Sequence, residues 1–371
     1  MLARFQEDRI YKAGLGSIYK KTLEAQRLTA EEGVILYESR DPLSVGAMAN
    51  IIRERKNGNF AWFNQNMRID YTNICDKRCE FCAFSRASGD TGAYTLSPEE
   101  IESFASQPEH DGVTEAHIVG GVNPGLPFDY YLELLRAVKR ARPAIHLKAF
   151  TMVEIDQIIN LSPLSPPETM DALIDAGLDS CPGGGAEILC ERIHRTLCRR
   201  KIPPERWLEL QRMVHRRGLR TTATMLYGHI ETAAERVEHM IKLRQLQDET
   251  GGFLAFVPLA FHPLNTRLSH ISFPTALDDL MNIAVARLML DNFNHIKAYW
   301  IMLTPSVSQI SLSYGADDMD GTIMRETIAH EAGARTPPML SVERLVALIR
   351  ETGRTPAERD SIYNPVRVYN A

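Results

Sequence analysis

Apolar residues recur at the spacing of amphipathic helices over the first sixty positions of the chain. The segment TAEEGVILYESR begins with Thr29, a suitable helix N-cap, and Glu32 follows three positions later, as in a capping box. The segment PLSVGAMANIIRERKNG ends in a basic turn and Gly58, which is typical of a helix C-terminus. The pattern therefore predicts an N-terminal helical cap over residues 1–58.

From Met67 onward, short apolar runs alternate with amphipathic segments. Runs of this length bounded by polar turns predict buried strands. The predicted strands lie at residues 67–72, 115–120, 145–150, 178–182, 220–226, 253–259, 297–303 and 309–314. The segments between them carry helix start signals, such as the capping box formed by Ser97 and Glu100 in SPEEIESFA.

Eight strands separated by helices predict parallel βαβ units. Right-handed crossovers repeated eight times close into a (β/α)8 barrel of the TIM type, with an open doubly wound sheet as the competing arrangement. We assign the barrel to residues 59–318. Residues 319–371 return to a helical pattern, clearest in SVERLVALIRETG, and are predicted to form a C-terminal helical extension packed on the barrel.

Composition narrows the class of protein. Hydrophobic residues make up 44% of the chain and charged residues 24%, which are the values of a globular protein with a sizeable core. A net charge of −5 gives no reason to expect a nucleic-acid partner. No apolar run approaches the roughly 20 residues of a membrane span, and the charged start MLARFQEDRIYKAG lacks a secretory pattern. We expect a cytoplasmic protein, in which cysteines are free or metal-bound.

Three of the six cysteines lie within eight positions, in NICDKRCEFCAFSR. Cys75, Cys79 and Cys82 have the spacing C-x3-C-x2-C and follow the first predicted strand, at the mouth where barrel active sites lie. They could be incidental buried thiols, or half of a structural zinc site, which usually has four ligands. The spacing favours a [4Fe–4S] cluster. Such clusters normally have four cysteine ligands, so three leave one iron open to a substrate or cofactor.

This spacing, with Phe81 before the last cysteine, resembles the radical S-adenosylmethionine (SAM) superfamily. The resemblance runs from about residue 60 to the C-terminus, through HIVGGVNPG, LKAFTMVEID, AGLDSCPGGGAEIL, TTATMLYGHIET and QISLSYGADDMDGT. These motifs are similar to the branch that contains the two radical SAM enzymes of futalosine-dependent menaquinone biosynthesis and the enzymes of deazaflavin cofactor synthesis. CAFSR, KAFTMVEI and LAFHP are most similar to the aminofutalosine (aminodeoxyfutalosine) synthases, whereas HRTLCRRKIPPERW matches the family pattern only loosely.

The resemblance implies a transferase with a [4Fe–4S] cluster on the three cysteines and SAM on the open iron. One electron would cleave SAM to methionine and a 5′-deoxyadenosyl radical. The radical would add to the enol ether of the small-molecule substrate 3-[(1-carboxyvinyl)oxy]benzoate, and loss of its carboxylate carbon would give aminodeoxyfutalosine. A flavodoxin, ferredoxin or reductase would donate the electron. The alternatives are the cyclising enzyme (cyclic dehypoxanthinyl futalosine synthase), a deazaflavin-cofactor synthase component, an electron-carrier iron–sulfur protein and a zinc module.

Five residues are candidate SAM contacts. Phe81 is predicted to pack beside the adenine or to seal the cluster from water. Gly120 and Gly121 allow close approach of the backbone to a ligand; the resemblance places them against the methionine part of SAM, and a plain tight turn is the alternative. Glu154 is predicted either at the barrel mouth or at a surface helix start. Glu187, which follows a glycine run without the Lys-Ser/Thr of a phosphate loop, is a polar SAM contact or a helix cap.

The substrate implied by the resemblance carries two carboxylates, which require cationic or hydrogen-bonding partners. Arg86, Lys148, His229 and His262 lie at or near predicted strand ends and are the candidate contacts. Radical addition needs no general base, so no acid–base pair is predicted. Three cysteines lack ligand spacing and are predicted to be small buried hydrophobes: Cys181, Cys190 and Cys198.

Overall fold

A computed structural model of the protein describes residues 4–370 of the 371. Four helices precede the first strand, namely α1 (Arg4–Lys12), α2 (Gly16–Leu23), α3 (Ala30–Glu38) and α4 (Pro42–Asn57). The predicted capping box at the start of α3 is present, with the Thr29 N–H donating to Glu32 Oε2 over 2.8 Å. Gly58 ends α4 with a φ of +56°, a conformation that glycine adopts without strain. Residues 1–3 of the predicted cap lie outside the described residues, and its boundary stays a prediction.

Eleven strands form two sheets. They are β1 (Phe60–Asn64), β2 (Asn66–Asp70), β3 (Glu115–Val119), β4 (His146–Ala149), β5 (Ser180–Cys181), β6 (Arg220–Tyr227), β7 (Phe253–Ala260), β8 (His295–Ile296), β9 (Asp318–Gly321), β10 (Thr355–Arg359) and β11 (Pro365–Val368). Strands β2 to β8 pair in chain order as one parallel seven-stranded sheet, and β11, β10, β1 and β9 form the other. The first six predicted strands of the barrel are therefore confirmed.

Helices connect the parallel strands, as the βαβ pattern predicts. They are α5 (Pro98–Ala105), α6 (Phe128–Ala141), α7 (Met152–Leu161), α8 (Pro166–Asp175), α9 (Glu191–Leu197), α10 (Pro204–Arg216), α11 (Ala233–Thr250), α12 (Ala276–Met289), α13 (Trp300–Leu303), α14 (Pro305–Ser311), α15 (Ile328–Glu331) and α16 (Val342–Glu351), with a short 3-10 helix at Pro108–His110. None of these helices is long and apolar enough to cross a membrane within the described residues.

The last two predicted strands are wrong. The run at 297–303 contributes only a bridge at Lys297 after β8 and then becomes α13, and the run at 309–314 is mainly α14. Thr304 and Pro305 start α14, because the Thr304 hydroxyl accepts from the Val307 N–H and proline suits the first helical position. An apolar run buried on all sides does not distinguish helix from strand by its periodicity.

The eighth position of the barrel is taken by the segment 318–324 instead. Lys297 forms an isolated parallel bridge with Asp318, and Met67 forms one with Met324. The segment thus spans from β8 to β2 and connects the two ends of the seven-stranded sheet. The carboxyl ends of the parallel strands share one edge, which is where barrel active sites form.

The C-terminal extension contains strands as well as helices, so the purely helical prediction was incomplete. Strand β10 pairs in parallel with β1, with Thr355 opposite Phe60, and β11 adds an antiparallel edge. Strand β1 falls inside the range 59–318 assigned to the barrel, but it belongs to the second sheet, between β10 and β9. The helix predicted in SVERLVALIRETG is confirmed as α16, with its Ser341 cap.

Candidate active site

The three cysteines of the C-x3-C-x2-C motif lie in one loop that follows β2. Backbone hydrogen bonds hold this loop on both sides. The Cys75 N–H donates to the Arg86 carbonyl over 3.0 Å, and the Glu80 N–H donates to the Leu197 carbonyl over 2.9 Å. These ties fix the loop over the carboxyl end of the parallel sheet, so the three thiols line one cavity.

The thiols of this loop fit an iron–sulfur cluster. Cys79 is buried, and Cys75 and Cys82 are half-buried. Burial raises the pKa of the Cys75 thiol, and the N–H groups of Lys77 and Val122 offset part of that shift by hydrogen bonding to its sulfur. Across residues 4–370, no three Cys, His, Asp or Glu side chains converge as the ligands of a single ion would. Thiolates on separate irons of a cluster need not converge in that way.

The cavity beside the cysteines has a volume of about 350 Å³ and extends into the barrel mouth. Its lining combines the thiols, the glycines after β3 and β5, several cations and a set of apolar side chains. The apolar part includes Val257, Leu259, Phe261 and Ile323. A cavity that is mostly apolar with a few convergent polar groups is typical of a small-molecule site.

Gly120 and Gly121 bring the backbone after β3 against the cysteine loop. The Gly121 N–H donates to the Thr72 carbonyl over 2.7 Å, and the Gly120 N–H donates to Glu154 Oε1 over 3.0 Å. A Cβ on Gly121 would lie 2.2 Å from the Ile74 carbonyl oxygen, a distance that real Cβ atoms do not tolerate. The backbone at Gly121 therefore approaches the cysteine loop closely and lines the cavity, and its contact with SAM stays a prediction.

We expect Gly121→Ala to disturb the cysteine loop, because the added methyl group collides with backbone that cannot rotate away. Overpacking of this kind costs about 1–3 kcal/mol of stability. Iron bound per chain after anaerobic reconstitution, together with urea unfolding, measures the effect. Gly125→Ala is the matched control, since a Cβ there meets only Asn123 Oδ1, at 3.3 Å. Equal iron content in the two variants would contradict the expectation.

Glu154 lies at the start of α7 and is buried against the cavity, so it is neither exposed nor remote from the site. Its Oε1 accepts from the Tyr71 hydroxyl over 2.8 Å and from Gly120, while its Oε2 accepts from the Thr151 N–H over 2.8 Å. Burial raises the pKa of Glu154 to about 7, although these donors favour the carboxylate. Glu154 thus holds the Gly120 turn in place.

A lysine that the motifs do not indicate completes the wall beside the cysteines. Lys201 Nζ donates to Glu187 Oε1 over 2.5 Å and lies 5.1 Å from the centre of the Phe81 ring. Burial alone would lower the pKa of Lys201, but the Glu187 carboxylate and the nearby Cys79 thiol raise it well above its usual value. Lys201 lies in the segment that matches the family pattern loosely, so no sequence signal separates it from the arginines before it.

The far side of the cavity holds cations that are already paired. Lys148 Nζ donates to Glu115 Oε2 over 2.5 Å, and Lys297 Nζ donates to Asp320 Oδ1 over 2.8 Å. Arg68 lines the same wall. Of these three cations, only Lys148 was predicted as a substrate contact. The sequence signal that could have identified the other two is a charged residue in an otherwise apolar strand, at Arg68 in β2, or directly after one, at Lys297 after β8.

Two histidines line the cavity in neutral form. Burial lowers the pKa of His262 and lowers that of His117 to about 3. His262 Nε2 donates to the Met302 carbonyl over 3.0 Å, and its buried Nδ1 has no partner among the described residues. The predicted contact His262 is thus placed with one ring nitrogen free for a ligand.

The other two predicted substrate contacts do not line the cavity. Arg86 Nη1 donates to the Ala83 carbonyl over 2.7 Å, and its Nη2 is 3.2 Å from Glu331. His229 is buried beside Glu231, with its Nε2 hydrogen bonded to the Leu226 carbonyl. Both side chains hydrogen bond to the backbone of turns at the barrel mouth, and neither lines the cavity.

The segment that closes one side of the cavity gives a pH-dependent prediction. His330 Nδ1 lies 2.9 Å from Glu326, which lines the cavity, and this hydrogen bond, more than any other cause, raises the pKa of His330 to about 9. The folded-state pKa exceeds the ordinary value of about 6.5. The stabilisation is therefore complete below pH 6.5 and is lost as the pH rises through 9.

We expect His330→Gln to cost about 1 kcal/mol at pH 6 and almost nothing above pH 9.5, because the ion pair is partly exposed to solvent. Urea unfolding of both proteins across this range measures the difference. His270→Gln, at an exposed position, is the control. A cost that is the same at both ends of the range would show that His330 stabilises the segment without its charge.

Comparison with known proteins agrees with this site. Residues 69–243 match the radical SAM superfamily, and residues 250–371 match the CofH/MqnC C-terminal region. The chain is 46% identical to an aminodeoxyfutalosine synthase of Thermus thermophilus, over 95% of this chain and 96% of that one. It is 41% identical to the aminodeoxyfutalosine synthase of Streptomyces coelicolor, with 94% and 93% covered. A cyclic dehypoxanthine futalosine synthase of Halalkalibacterium halodurans is 36% identical, with 96% of each covered.

Among solved structures, methylornithine synthase is similar in fold, with a TM-score of 0.71, 19% identity, and coverage of 92% of this chain and 97% of that one. The radical SAM family uses a [4Fe–4S] cluster and SAM, and its cysteine motif is present at Cys75, Cys79 and Cys82. From the family match, the two synthases and the fold, the chain belongs to the radical SAM superfamily, in the branch of the aminodeoxyfutalosine synthases.

Proposed function

We propose that the protein is an aminodeoxyfutalosine synthase of menaquinone biosynthesis. It transfers the adenosyl group of SAM to 3-[(1-carboxyvinyl)oxy]benzoate and forms aminodeoxyfutalosine, methionine and bicarbonate or CO2. The observation that carries this proposal is a single cavity lined both by the three thiols of the loop after β2 and by the cations Arg68, Lys148 and Lys297. Such a cavity suits a reaction that joins SAM to an anionic partner.

When bound, the cluster supplies the electron that splits SAM and so makes its adenosyl group reactive. Cys75, Cys79 and Cys82 would hold the cluster and leave one iron for SAM. The backbone at Gly120 and Gly121 lines the cavity beside the cysteine loop and would receive the amino acid end of SAM. Phe81 lies beside the thiols and, with the charged Lys201 above its ring, covers the cluster side of the cavity.

The part of the cavity proposed to bind the substrate combines buried charged groups with apolar side chains that exclude water. Two carboxylates on the benzoate need cationic or hydrogen-bonding partners. Lys148 and Lys297 provide buried ammonium groups. His262 is neutral and carries its proton on Nε2, which donates to the Met302 carbonyl, so its unpartnered Nδ1 can accept a hydrogen bond from the ligand but cannot donate one to a carboxylate. Apolar side chains such as Leu259 and Phe261 exclude water, which protects a reactive group from side reactions. We propose these residues as the ones that orient the benzoate, with Glu154 and Glu187 positioning the SAM side.

An anaerobic assay tests the proposal directly. The iron-loaded protein is incubated with SAM, the enol-ether benzoate and dithionite, and the products are identified by mass. A product that contains both the adenosyl group and the aromatic ring is expected. Free 5′-deoxyadenosine without that adduct would indicate the hydrogen-abstracting chemistry of a cyclising enzyme and would overturn the assignment. The physiological electron donor, a flavodoxin, ferredoxin or reductase in the cytoplasm, is part of the same proposal.

A further inference from the structure

Positive charge is concentrated on the outer face of the cysteine loop. Lys77, Arg78 and Glu80 lie between the cluster cysteines in sequence. They line a surface groove of about 470 Å³ together with the last turn of α9, the two arginines that follow it, and Arg267 in the loop after β7. The cations of this groove, called here the basic surface, are Lys77, Arg78, Arg195, Arg199, Arg200 and Arg267. Glu80 is its single acidic side chain, so the groove is strongly positive on a chain whose net charge is −5.

Three of these cations have no carboxylate partner within residues 4–370. Lys77, Arg195 and Arg267 pair with nearby acidic residues, Arg267 with Glu80 over 2.8 Å. Arg78 and Arg199 have no ion pair, and Arg200 only donates to the Asp76 carbonyl, over 3.3 Å. Arg199 and Arg200 are exposed. Unpaired and repelling cations on one face are available to an external anionic partner.

The backbone of Arg78 supports a role for its side chain. Its φ is +51°, in the left-handed region that favours glycine. Glycine or asparagine would satisfy this turn at lower cost. Arg78 thus places a charged side chain at a turn position that glycine favours.

The basic surface is also the outer side of the cluster site. Lys77 lines both the groove and the inner cavity. The Arg267 N–H donates to the Glu80 carbonyl over 3.0 Å, so the surface is built on the loop that carries the thiols. A protein carrier bound at this surface would therefore contact the same loop that carries the three thiols.

We propose that the basic surface is the docking site of an acidic one-electron carrier protein of the flavodoxin type. The proposal rests on the proposed function, which requires such a donor. An acidic carrier is repelled by the net negative chain and attracted to this one face, which orients the encounter. The anionic flavin hydroquinone of such a carrier would give up one electron and become the neutral semiquinone, and the cluster held by Cys75, Cys79 and Cys82 would take up that electron for the cleavage of SAM.

A charge reversal tests the docking site. Arg199→Glu with Arg200→Glu is compared with Arg136→Glu with Arg344→Glu, two exposed arginines outside the groove. Binding of oxidised flavodoxin is measured by calorimetry on the purified protein at low and high salt. Product formation is measured with reduced flavodoxin and, separately, with dithionite. We expect the first variant to lose roughly tenfold or more in flavodoxin affinity at low salt, and to lose the flavodoxin-driven rate while keeping the dithionite-driven rate.

The outcomes separate the two proposals. Equal flavodoxin affinity in the two variants overturns the docking site, whatever the activity shows. Absence of the adenosyl adduct with dithionite in the wild-type protein overturns the proposed function, while the binding measurement still reports on the surface. If the Arg199–Arg200 reversal removes binding of a short DNA duplex and leaves flavodoxin binding intact, the surface is a nucleic-acid site and the docking proposal fails.

Discussion

Replacing Cys79 with alanine is expected to abolish cluster assembly and, with it, all cleavage of SAM. Cys79 is 8% exposed, and the Glu80 N–H that follows it donates to the Leu197 carbonyl, so the backbone holds this thiol in place over the cavity. Two remaining thiolates cannot supply the three-ligand site. Iron and sulfide per chain, the visible absorption of the reconstituted protein and the yield of 5′-deoxyadenosine measure the loss.

Two other buried cysteines provide controls for this substitution. Cys181 is fully buried at the end of β5, and Cys198 is buried beside the site, where it contributes to the raised pKa of Cys79. Cys181→Ala and Cys198→Ala are both expected to retain the cluster and SAM cleavage. Retained cleavage in Cys79→Ala would refute the ligand assignment. Loss of iron in Cys198→Ala would identify a fourth thiolate ligand and would contradict an open iron.

Local sequence patterns predict the parts of the site that depend on neighbouring residues. The cysteine triplet and the Gly120–Gly121 turn are contiguous motifs, and the structure brings them against one cavity. The first six barrel strands are also local features, because each is an apolar run between turn signals. The eighth position could not be predicted in this way, since the segment 318–324 joins β8 and β2 by single bridges and carries no strand pattern.

Pairing across the barrel is not visible in the sequence. The sequence shows Lys148 as a cation near a strand end, but it does not show its partner Glu115, which lies 33 positions earlier on β3. In the observed register Lys148 is opposite His117, which makes Glu115 its diagonal neighbour on the same face. Arg86 and His229 are the opposite case. Both are polar residues near strand ends, but their side chains hydrogen bond to turns of the barrel mouth and do not line the cavity.

Lys148→Met is expected to destabilise the protein by about 3–5 kcal/mol, because it leaves the buried Glu115 carboxylate without its partner. Both side chains are almost fully buried. Burial alone would raise the pKa of Glu115, but Lys148 and then Lys297 hold it well below its usual value. The same carboxylate has a second oxygen without a hydrogen-bond partner among the described residues, so it has no alternative donor. Urea unfolding at pH 7 measures the cost.

The double variant Lys148→Met with Glu115→Gln separates stability from substrate binding. Removing the orphaned charge is expected to restore most of the stability, and the difference from additivity gives the coupling of the pair. If the double variant gains nothing over Lys148→Met, the loss does not come from the unpaired carboxylate. In the refolded double variant, the proposed contact to the benzoate predicts a raised KM for that substrate, with uncoupled SAM cleavage unchanged. A normal KM would assign Lys148 to the barrel interior alone and leave Lys297 as the buried ammonium group that binds a carboxylate.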